Sequence, residues 1–219
     1  MPALPLPGDG PVPPPSATAR SAAERLLAGL AVPAGALGRL GDLAVWVAAT
    51  QGVTPPRPVE RVRLVVFAGD HGVAEHGVSA YPKAVTPAMV RTIAAGRSGV
   101  SVLAAQHGIA VRVLDLGVDD DLSGLDPMTR AAVQEHKVHR GSRALHLEDA
   151  LTRDEAVQAL AIGAAVAREE AAAGAQLLVA GDLGIGNTTV AAALVAAFLG
   201  LPATEVTGRG TGVDDAGLA

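Results

Sequence analysis

The sequence contains no cysteine, and only 2% of its 219 residues are aromatic. Without cysteine it can form neither disulfides nor thiolate metal sites, and it cannot use a cysteine nucleophile. The shortage of aromatic rings removes the side chains on which nucleic acid bases stack. Hydrophobic residues still make up 49% of the chain, mainly as Ala, Val and Leu. The core is therefore expected to consist of small aliphatic side chains, which suit helices packed closely on parallel strands.

Positive charge and long apolar runs are also scarce. The formal net charge is −5 and no cluster of Lys and Arg forms a stripe, which argues against nucleic acid and anionic membranes as partners. No apolar run approaches the ~20 residues that span a bilayer, and the first residues lack the basic and apolar regions of a signal peptide. We therefore expect a cytoplasmic protein without a nucleic acid or membrane partner.

Proline is concentrated at the start of the chain, where seven of the fifteen prolines lie within residues 1–15. This segment is predicted to be a disordered or polyproline-like arm. Apolar residues at helical spacing follow over 18–31 and 37–51, and Gly52 marks the end of the second stretch. Residues 16–60 are therefore predicted to form an N-terminal helical segment.

The rest of the chain, residues 61–219, alternates between strand and helix patterns. Apolar and β-branched runs predict strands over 61–67, 109–116 and 176–180. Helices are predicted over 86–95, 98–107, 152–173 and 189–199. Thr152 and Glu155 form a capping box pattern at the start of the third. A polar stretch lies over 119–143. This alternation predicts an α/β fold, a Rossmann-like parallel sheet flanked by helices, with the N-terminal helices as a smaller subdomain.

The most informative motif is GDLGIGNTT, residues 181–189, where an apolar run breaks into glycines and a helix pattern follows. Its glycines allow the backbone to approach a ligand, and Asn187, Thr188 and Thr189 are expected to cap a helix whose first N–H groups can bind an anion. No lysine follows the glycines, and Thr189 occupies the place of the third glycine of a dinucleotide motif, so neither common nucleotide motif is present. We predict a phosphate site of another kind; the alternative is that the glycines serve only strand and helix packing.

A second loop, GDHGVAEHGVSAYP at 69–82, follows a predicted strand and holds Asp70, His71, Ser79 and Tyr81. Open α/β sheets bind ligands at the carboxyl ends of their strands, so this loop is predicted to be a wall of the substrate site. The alternative is that Asp70 caps a turn and His71 packs beneath it. The spacing of the aspartate and the histidines matches no helical pair of metal ligands, so no metal is expected.

Two further segments carry positive side chains that could hold an anion. VQEHKVHRGSR, residues 133–143, is basic; a solvated surface is the ordinary interpretation, although the guanidinium of Arg143 matches a carboxylate or phosphate. Arg209 lies between glycines in GRGTG and could also reach an anion. Asp119–Asp121 lack the spacing of a calcium loop and are expected to be solvated turns.

Five segments, in order, resemble the motifs of a single family. They are PAGALGRLGDLA at 33–44, FAGDHGVAEHGVSAYPKAVTPAMV at 67–90, RGSRALHLEDALT at 140–152, GDLGIGNTT at 181–189 and VTGRGTGVDDAGL at 206–218. The family is that of the nicotinate-nucleotide:5,6-dimethylbenzimidazole phosphoribosyltransferases. Five motifs in the right order are far more specific than any one of them. The resemblance implies a Rossmann-like fold, a homodimer and no cofactor.

The activity that the resemblance implies is transfer of the phosphoribosyl group of nicotinate mononucleotide to 5,6-dimethylbenzimidazole, giving α-ribazole 5′-phosphate and nicotinate in cobalamin biosynthesis. The residues implied for the phosphoribosyl group are Gly184, Ile185, Gly186, Asn187, Thr188 and Arg209. Those implied for the aromatic base are Ser79, Tyr81, Val85 and Met89, with His71 and Arg143 as further substrate contacts. The pyridinium leaves as a neutral ring without a general acid, whereas the benzimidazole must lose its N–H proton to a carboxylate base.

Two departures from the family's pattern bear on catalysis. Asp182 stands where the family has glutamate; beside a phosphate, a carboxylate is expected to contact a sugar hydroxyl or a cationic ring. The family's general-base glutamate lies in a later segment, beyond Ala219, so we expect a domain that is incomplete at its C-terminus and turns over little substrate alone. Asp182 and Asp70 are the candidate bases within the chain. The alternatives are a non-catalytic phosphoribosyl- or nucleotide-binding homologue, an inactive fragment, or an enzyme that ribosylates a purine or phenolic base.

Overall fold

The computed structural model describes residues 12–33 and 35–218, which divide into two compact units between Glu60 and Arg61. Most of the predicted proline-rich arm, residues 1–11, lies outside the described residues, and residues 12–15 are exposed without regular secondary structure. None of the described helices is both long and apolar enough to cross a membrane.

The smaller unit is a pair of helices, α1 (Ala17–Ala28) and α2 (Arg39–Gln51). Ser16 caps the first helix by accepting a hydrogen bond from the N–H three residues later. The second helix begins two residues later than the sequence pattern suggests, because Gly38 before it has a positive φ of 47°. The two helices pack through small side chains, namely Ala23, Val45 and Ala48.

The larger unit is built on a parallel sheet of three strands in the order β2-β1-β3. The strands are β1 (Val62–Gly69), β2 (Ala110–Gly117) and β3 (Leu177–Leu183). β1 lies at the centre, where Val65 pairs with Arg112 on one side and with Ala180 on the other. A central strand of a parallel sheet is covered on both faces, which explains its run of apolar and β-branched residues.

Helices pack on both faces of β1 and β2. The helices of this unit are α3 (Val85–Ala94), α4 (Gly99–Gln106), α5 (Pro127–Gln134), α6 (Arg153–Ala172) and α7 (Asn187–Leu199), with the short α8 (Ala203–Val206), α9 (Asp215–Leu218) and a 3-10 helix (Gly72–His76). On one face, β1 and β2 pack against α3 and α5 through Val66, Val113, Val90 and Val133. On the other face they pack against α6 through Val65, Leu114 and Val166. The predicted α/β fold with a parallel sheet flanked by helices is confirmed.

The sequence pattern gives no helix at α5, because residues 119–143 are predicted to be a polar stretch. Asp126 accepts a hydrogen bond from the N–H of Thr129, and Pro127 takes the first helical position. An aspartate cap followed directly by proline is a helix start signal in its own right. The helix contributes Val133 to the core, so the polar stretch is partly structural.

Candidate functional site

The carboxyl ends of the three strands open into the loops that the sequence predicts to bind a ligand. β1 is followed by residues 70–84, β2 by residues 118–126 and β3 by residues 184–186. Residues 139–151 pack beside the first of these loops through a bridge between His71 and Ser142. The predicted ligand-binding segments thus share one edge of the sheet.

The connection between β3 and α7 is only three residues long, Gly184–Gly186. β3 continues past the predicted end at residue 180, so Asp182 pairs with Phe67 inside the sheet. Gly186, with a left-handed φ of 88°, is the N-cap of α7, and no side chain caps the helix. The capping role predicted for residues 187–189 is therefore wrong.

The N-terminus of α7 keeps main-chain donors that a side-chain cap would otherwise occupy. In the part of the chain that the structure describes, the N–H groups of Gly186 and Thr188 donate no hydrogen bond. The first N–H groups of a helix carry partial positive charge and point along its axis. An anion placed beyond the end of α7 would meet both donors.

Gly184 is the point where the loops after β1 and β3 meet. A Cβ on Gly184 would lie 2.1 Å from the carbonyl oxygen of Gly69 and 2.9 Å from Nε2 of His71. The N–H of Ile185 donates a hydrogen bond of 3.0 Å to Oγ1 of Thr86, a fully buried residue of α3. Packing therefore accounts for this glycine, as the alternative interpretation holds, and it also fixes the loop in place.

Asp70 and His71 hold loops together rather than face open space. Asp70 is 3% exposed, and its Oδ2 accepts a hydrogen bond of 2.8 Å from the N–H of Asp119. Among the described residues, neither Oδ1 of Asp70 nor the buried Nε2 of His71 has a partner. These positions favour the alternative in which both residues are structural, although Asp70 accepts its hydrogen bond from the distant N–H of Asp119 instead of capping its own turn.

A cavity of about 200 Å³ opens at the ends of β1 and β2, next to Asp70 and His71. Its remaining lining is mainly apolar and includes Leu116, Val138, Leu151 and Val190. An apolar lining suits an uncharged ring or alkyl group and offers few donors to a phosphate. The cavity and the N-terminus of α7 therefore favour different parts of a ligand.

Burial lowers the pKa of His71 below its usual 6.5, and the charges of Asp182 and Asp70 oppose this shift to a lesser degree. The folded protein thus holds a neutral imidazole at neutral pH, wedged against Gly184. A neutral ring can accept or donate one hydrogen bond at Nε2, depending on its tautomer.

Acidification below pH 6.5 is expected to lower the free energy of unfolding through His71. The unfolded chain, with an ordinary imidazole pKa, takes up a proton that the folded chain resists, so stability is lost as the pH falls toward the lowered pKa. Urea titrations at about pH 7.5 and about pH 5.5 measure this loss, which the substitution His71→Gln should reduce. His107→Gln is the control, and an equal pH dependence in wild type and His71→Gln would contradict the prediction.

The residues predicted for the base pocket lie on the loop before α3 and on its first two turns, namely Ser79, Tyr81, Val85 and Met89. Oγ of Ser79 lies 3.0 Å from Oγ1 of Thr211, which also accepts a hydrogen bond of 2.8 Å from the N–H of Ala80. The ring of Tyr81 is on the surface, since the residue is 56% exposed. We call residues 79–89, which carry these four side chains, the base wall. The GRGTG segment thus packs against the base wall.

The GRGTG segment also contacts the start of α7. A Cβ on Gly210 would lie 2.8 Å from Oγ1 of Thr188. Arg209 turns away into its own segment, where it donates a hydrogen bond to the carbonyl oxygen of Val213 and pairs with Asp215. The segment therefore bridges the predicted base wall and the glycine loop.

Two other residues predicted to contact substrate form hydrogen bonds with residues nearby in the sequence. Arg143 donates a hydrogen bond of 2.7 Å from Nε to the carbonyl oxygen of Asp149. Asp182 is exposed at the end of β3, and its Oδ2 accepts a hydrogen bond of 3.0 Å from the side-chain amide of Asn187. Asp182 is thus oriented by the first residue of α7.

Among the described residues, no group of three or more His, Asp or Glu side chains could hold a metal ion.

The structure adds Thr86, Thr211 and Lys83 to the residues that shape the site, and it gives Asp119 contacts that a solvated turn would lack. Nζ of Lys83 lies 2.9 Å from Oδ2 of Asp119. This hydrogen bond raises the pKa of Lys83, and the bonds from Lys83 and Arg140 lower the pKa of Asp119. A threonine after glycine in GRGTG and a threonine at the start of α3 are weak sequence signals, since their partners are distant in the chain.

Comparison with known proteins supports the family that the sequence motifs resemble. A family described as Phosphoribosyltransferase matches residues 12–219. A nicotinate-nucleotide--dimethylbenzimidazole phosphoribosyltransferase of Mycolicibacterium paratuberculosis is 53% identical over 208 residues, which are 95% of this chain and 58% of that protein. The protein of the same name from Mycobacterium tuberculosis is 52% identical, over 97% of this chain and 57% of its own length.

A solved structure has the same architecture. The crystal structure of CobT from Thermus thermophilus superimposes with a TM-score of 0.83 at 44% sequence identity, over 92% of this chain and 59% of that one. The chain thus spans a little under three fifths of the length of the relatives it matches. With the family match over 12–219 and relatives above half identity, the chain belongs to the nicotinate-nucleotide–dimethylbenzimidazole phosphoribosyltransferase family.

Proposed function

We propose that the chain forms the substrate-binding part of an enzyme that transfers the phosphoribosyl group of nicotinate mononucleotide to 5,6-dimethylbenzimidazole, giving α-ribazole 5′-phosphate and nicotinate in cobalamin biosynthesis. The observation that carries the proposal is the meeting of three segments at the carboxyl ends of parallel strands. Thr86 joins the base wall to the glycine loop. Thr211 joins the base wall to the GRGTG segment.

The phosphate of the nucleotide is proposed to bind at the N-terminus of α7. The N–H groups of Gly186 and Thr188 would donate to it, with Gly184, Ile185 and Asn187 shaping the same turn. Arg209 is proposed to reach the phosphate by leaving Asp215, whose side chain is 92% exposed and therefore holds the arginine weakly. His71, on the loop after β1, and Arg143, on the segment that packs beside that loop, are proposed as outer contacts.

The aromatic base is proposed to bind along Ser79, Tyr81, Val85 and Met89. A half-exposed tyrosine offers one free ring face for stacking against a planar heterocycle. On the other side of the site, Asp182 is proposed to contact a ribose hydroxyl or the positively charged pyridinium, because its carboxylate is exposed and already oriented by Asn187.

The general base is proposed to be the glutamate that the family resemblance implies. Of the two aspartates within the chain, Asp182 is the better placed substitute. Asp70 is 3% exposed and one of its two carboxylate oxygens already accepts the N–H of Asp119, so its burial leaves little room to approach the N–H of a benzimidazole. Asp182→Asn is therefore the first substitution to make if the chain alone forms product.

Calorimetry with the 219-residue chain tests the phosphate site. Nicotinate mononucleotide is expected to bind at least about tenfold more tightly than nicotinate riboside, since a phosphate accepting main-chain N–H groups adds roughly 1.4 kcal/mol or more. Equal binding of the two compounds, or binding of neither, would sink the proposal. Separate titrations with 5,6-dimethylbenzimidazole, adenine and p-cresol compare the affinity of the chain for the proposed base with its affinity for a purine and for a phenol.

The assembly and location are proposed on the family resemblance. We propose that the protein is a cytoplasmic homodimer whose ligands are the small molecules named above. Light scattering coupled to size-exclusion chromatography measures the mass of the assembly in solution. A single monomeric peak at micromolar concentration would contradict the dimer.

A further inference from the structure

The loop that follows β2, residues 118–122, carries an aspartate, Asp119, that contacts the loop after β1 at both of its ends and also the segment 139–151. We call it the Asp119 loop. Oδ2 of Asp119 lies 2.9 Å from Nζ of Lys83 on the base wall, and Oδ1 lies 3.1 Å from Nε of Arg140. Its N–H donates a hydrogen bond of 2.8 Å to Asp70. Asp119 thus touches the loop after β1 at Asp70 and at Lys83, and it also touches the segment that leads to Ser142.

The Asp119 loop is itself held firmly. Nζ of Lys137 lies 2.9 Å from Oδ2 of the fully buried Asp115, and it also donates to the carbonyl oxygens of Val118 and Asp120. Arg91 of α3 pairs with the carboxylate of Asp120. Because both sides of Asp119 are fixed to the core, its carboxylate is presented from a rigid support rather than from a solvated turn.

Within the part of the chain that the structure describes, the side chain of Lys83 has no comparable second support. Its other ionic partner, Glu75, lies 3.5 Å away and has a side chain that is 65% exposed, so this pair contributes little. The glycine loop, in contrast, is anchored without Asp119, through Thr86 and through packing on Gly69. Loss of the Asp119 charge should therefore loosen the loop part of the base wall, residues 79–84. It should leave the phosphate end of the site intact, because Thr86, which holds the glycine loop, is fully buried on α3.

We propose that Asp119 is a positioning residue that holds the wall of the aromatic base pocket in place through Lys83. The inference rests on the proposed function for the identity of the base. It separates the two halves of the site, because Asp119 acts on the half that receives the base and leaves the half that receives the phosphate unchanged.

The test compares Asp119→Asn with Asp121→Asn in the 219-residue chain. Among the described residues, Asp121 pairs with Arg140 and not with Lys83, so the second variant removes a neighbouring charge without touching the base wall. Asp119→Asn is expected to weaken binding of 5,6-dimethylbenzimidazole about fivefold, the upper range for partly exposed ion pairs. Binding of nicotinate mononucleotide should change by less than about twofold, and Asp119→Glu should recover part of the lost affinity.

Amide hydrogen exchange over residues 77–84 measures how firmly the loop part of the wall is held, without any ligand. The N–H of Ala80 donates to Oγ1 of Thr211 and the N–H of Tyr81 donates to Oγ of Ser79, so a loosened wall exchanges faster at these amides. Faster exchange in Asp119→Asn alone supports the inference, and equal exchange in both variants overturns it. Absence of all ligand binding in the wild type would count against the proposed function, while the exchange result would still decide the role of Asp119.

Discussion

Replacing Gly184 by alanine is expected to destabilise the larger unit by about 1–3 kcal/mol, the usual cost of forcing extra atoms into a packed interior. The added Cβ would lie 2.1 Å from the carbonyl oxygen of Gly69 and 2.9 Å from the ring of His71. Gly69 ends the central strand and pairs with Gly117 of β2, so it cannot retreat without disturbing the sheet. The connection between β3 and α7 has to move instead.

The same substitution is expected to weaken binding of nicotinate mononucleotide by at least about tenfold. Gly186 and Thr188, whose N–H groups are proposed to bind the phosphate, lie two and four residues after position 184. Losing one charge-assisted hydrogen bond to the phosphate costs roughly 1.5–3 kcal/mol. Urea denaturation measures the free energy of unfolding, and calorimetry measures the affinity. Wild-type affinity in a destabilised Gly184→Ala variant would mean that the phosphate binds elsewhere.

Gly163→Ala is the matched control. Gly163 lies inside α6, and a Cβ there would meet no atom within 4 Å. Alanine is favoured over glycine in a helix by about 1 kcal/mol, so this variant should be slightly more stable than the wild type and bind the nucleotide unchanged. A loss of stability in both variants would mean that the 2.1 Å overlap is not the cause.

The elements that could be predicted from the sequence are those whose signals are local. The strands predicted over 61–67 and 109–116 overlap β1 and β2, which each begin one residue later, and the capping box of Thr152 and Glu155 is present at the start of α6. Each signal depends on residues within one or two turns or one strand of each other. The prediction failed where two local signals met, since GDLGIGNTT divides into the end of β3, three loop residues and the start of α7.

The contacts that assemble the site could not be predicted, because they join distant residues. Thr86 and Ile185 are 99 positions apart, and Ser79 and Thr211 are 132 apart. Asp119 shows the same limit, since three successive aspartates read as a solvated turn until Lys83 is brought beside one of them. The residue types at the site were predictable from their motifs; their partners depended on the order of strands in the sheet.

Lys137→Met is expected to lower the free energy of unfolding by about 3–5 kcal/mol, the cost of leaving a buried charge without its partner. Asp115 is fully buried, and Lys137 supplies the only positive charge that pairs with it among the described residues. The ammonium also donates to two carbonyl oxygens of the Asp119 loop. A loss of this size is a large share of the roughly 5–15 kcal/mol that stabilise a typical domain.

The only other lysine of the chain provides the matched control. Lys83→Met removes the same charge from a pair whose two side chains are 30% and 39% exposed, so it should cost at most about 1 kcal/mol. Both variants are measured by urea denaturation followed by far-UV circular dichroism. Equal losses would mean that burial of Asp115 does not set the cost.

A double variant, Asp115→Asn with Lys137→Met, separates the unpaired charge from the lost packing. If the uncompensated carboxylate causes most of the loss, a neutral amide at position 115 should recover a measurable part of it, because the amide avoids the desolvation cost and can still accept the N–H of Val118. If the loss instead comes from the carbonyl oxygens that Lys137 bridges, the double variant should be no more stable than Lys137→Met. The second outcome would mean that Lys137 stabilises the protein mainly by binding the carbonyl oxygens of the Asp119 loop, and less by neutralising Asp115.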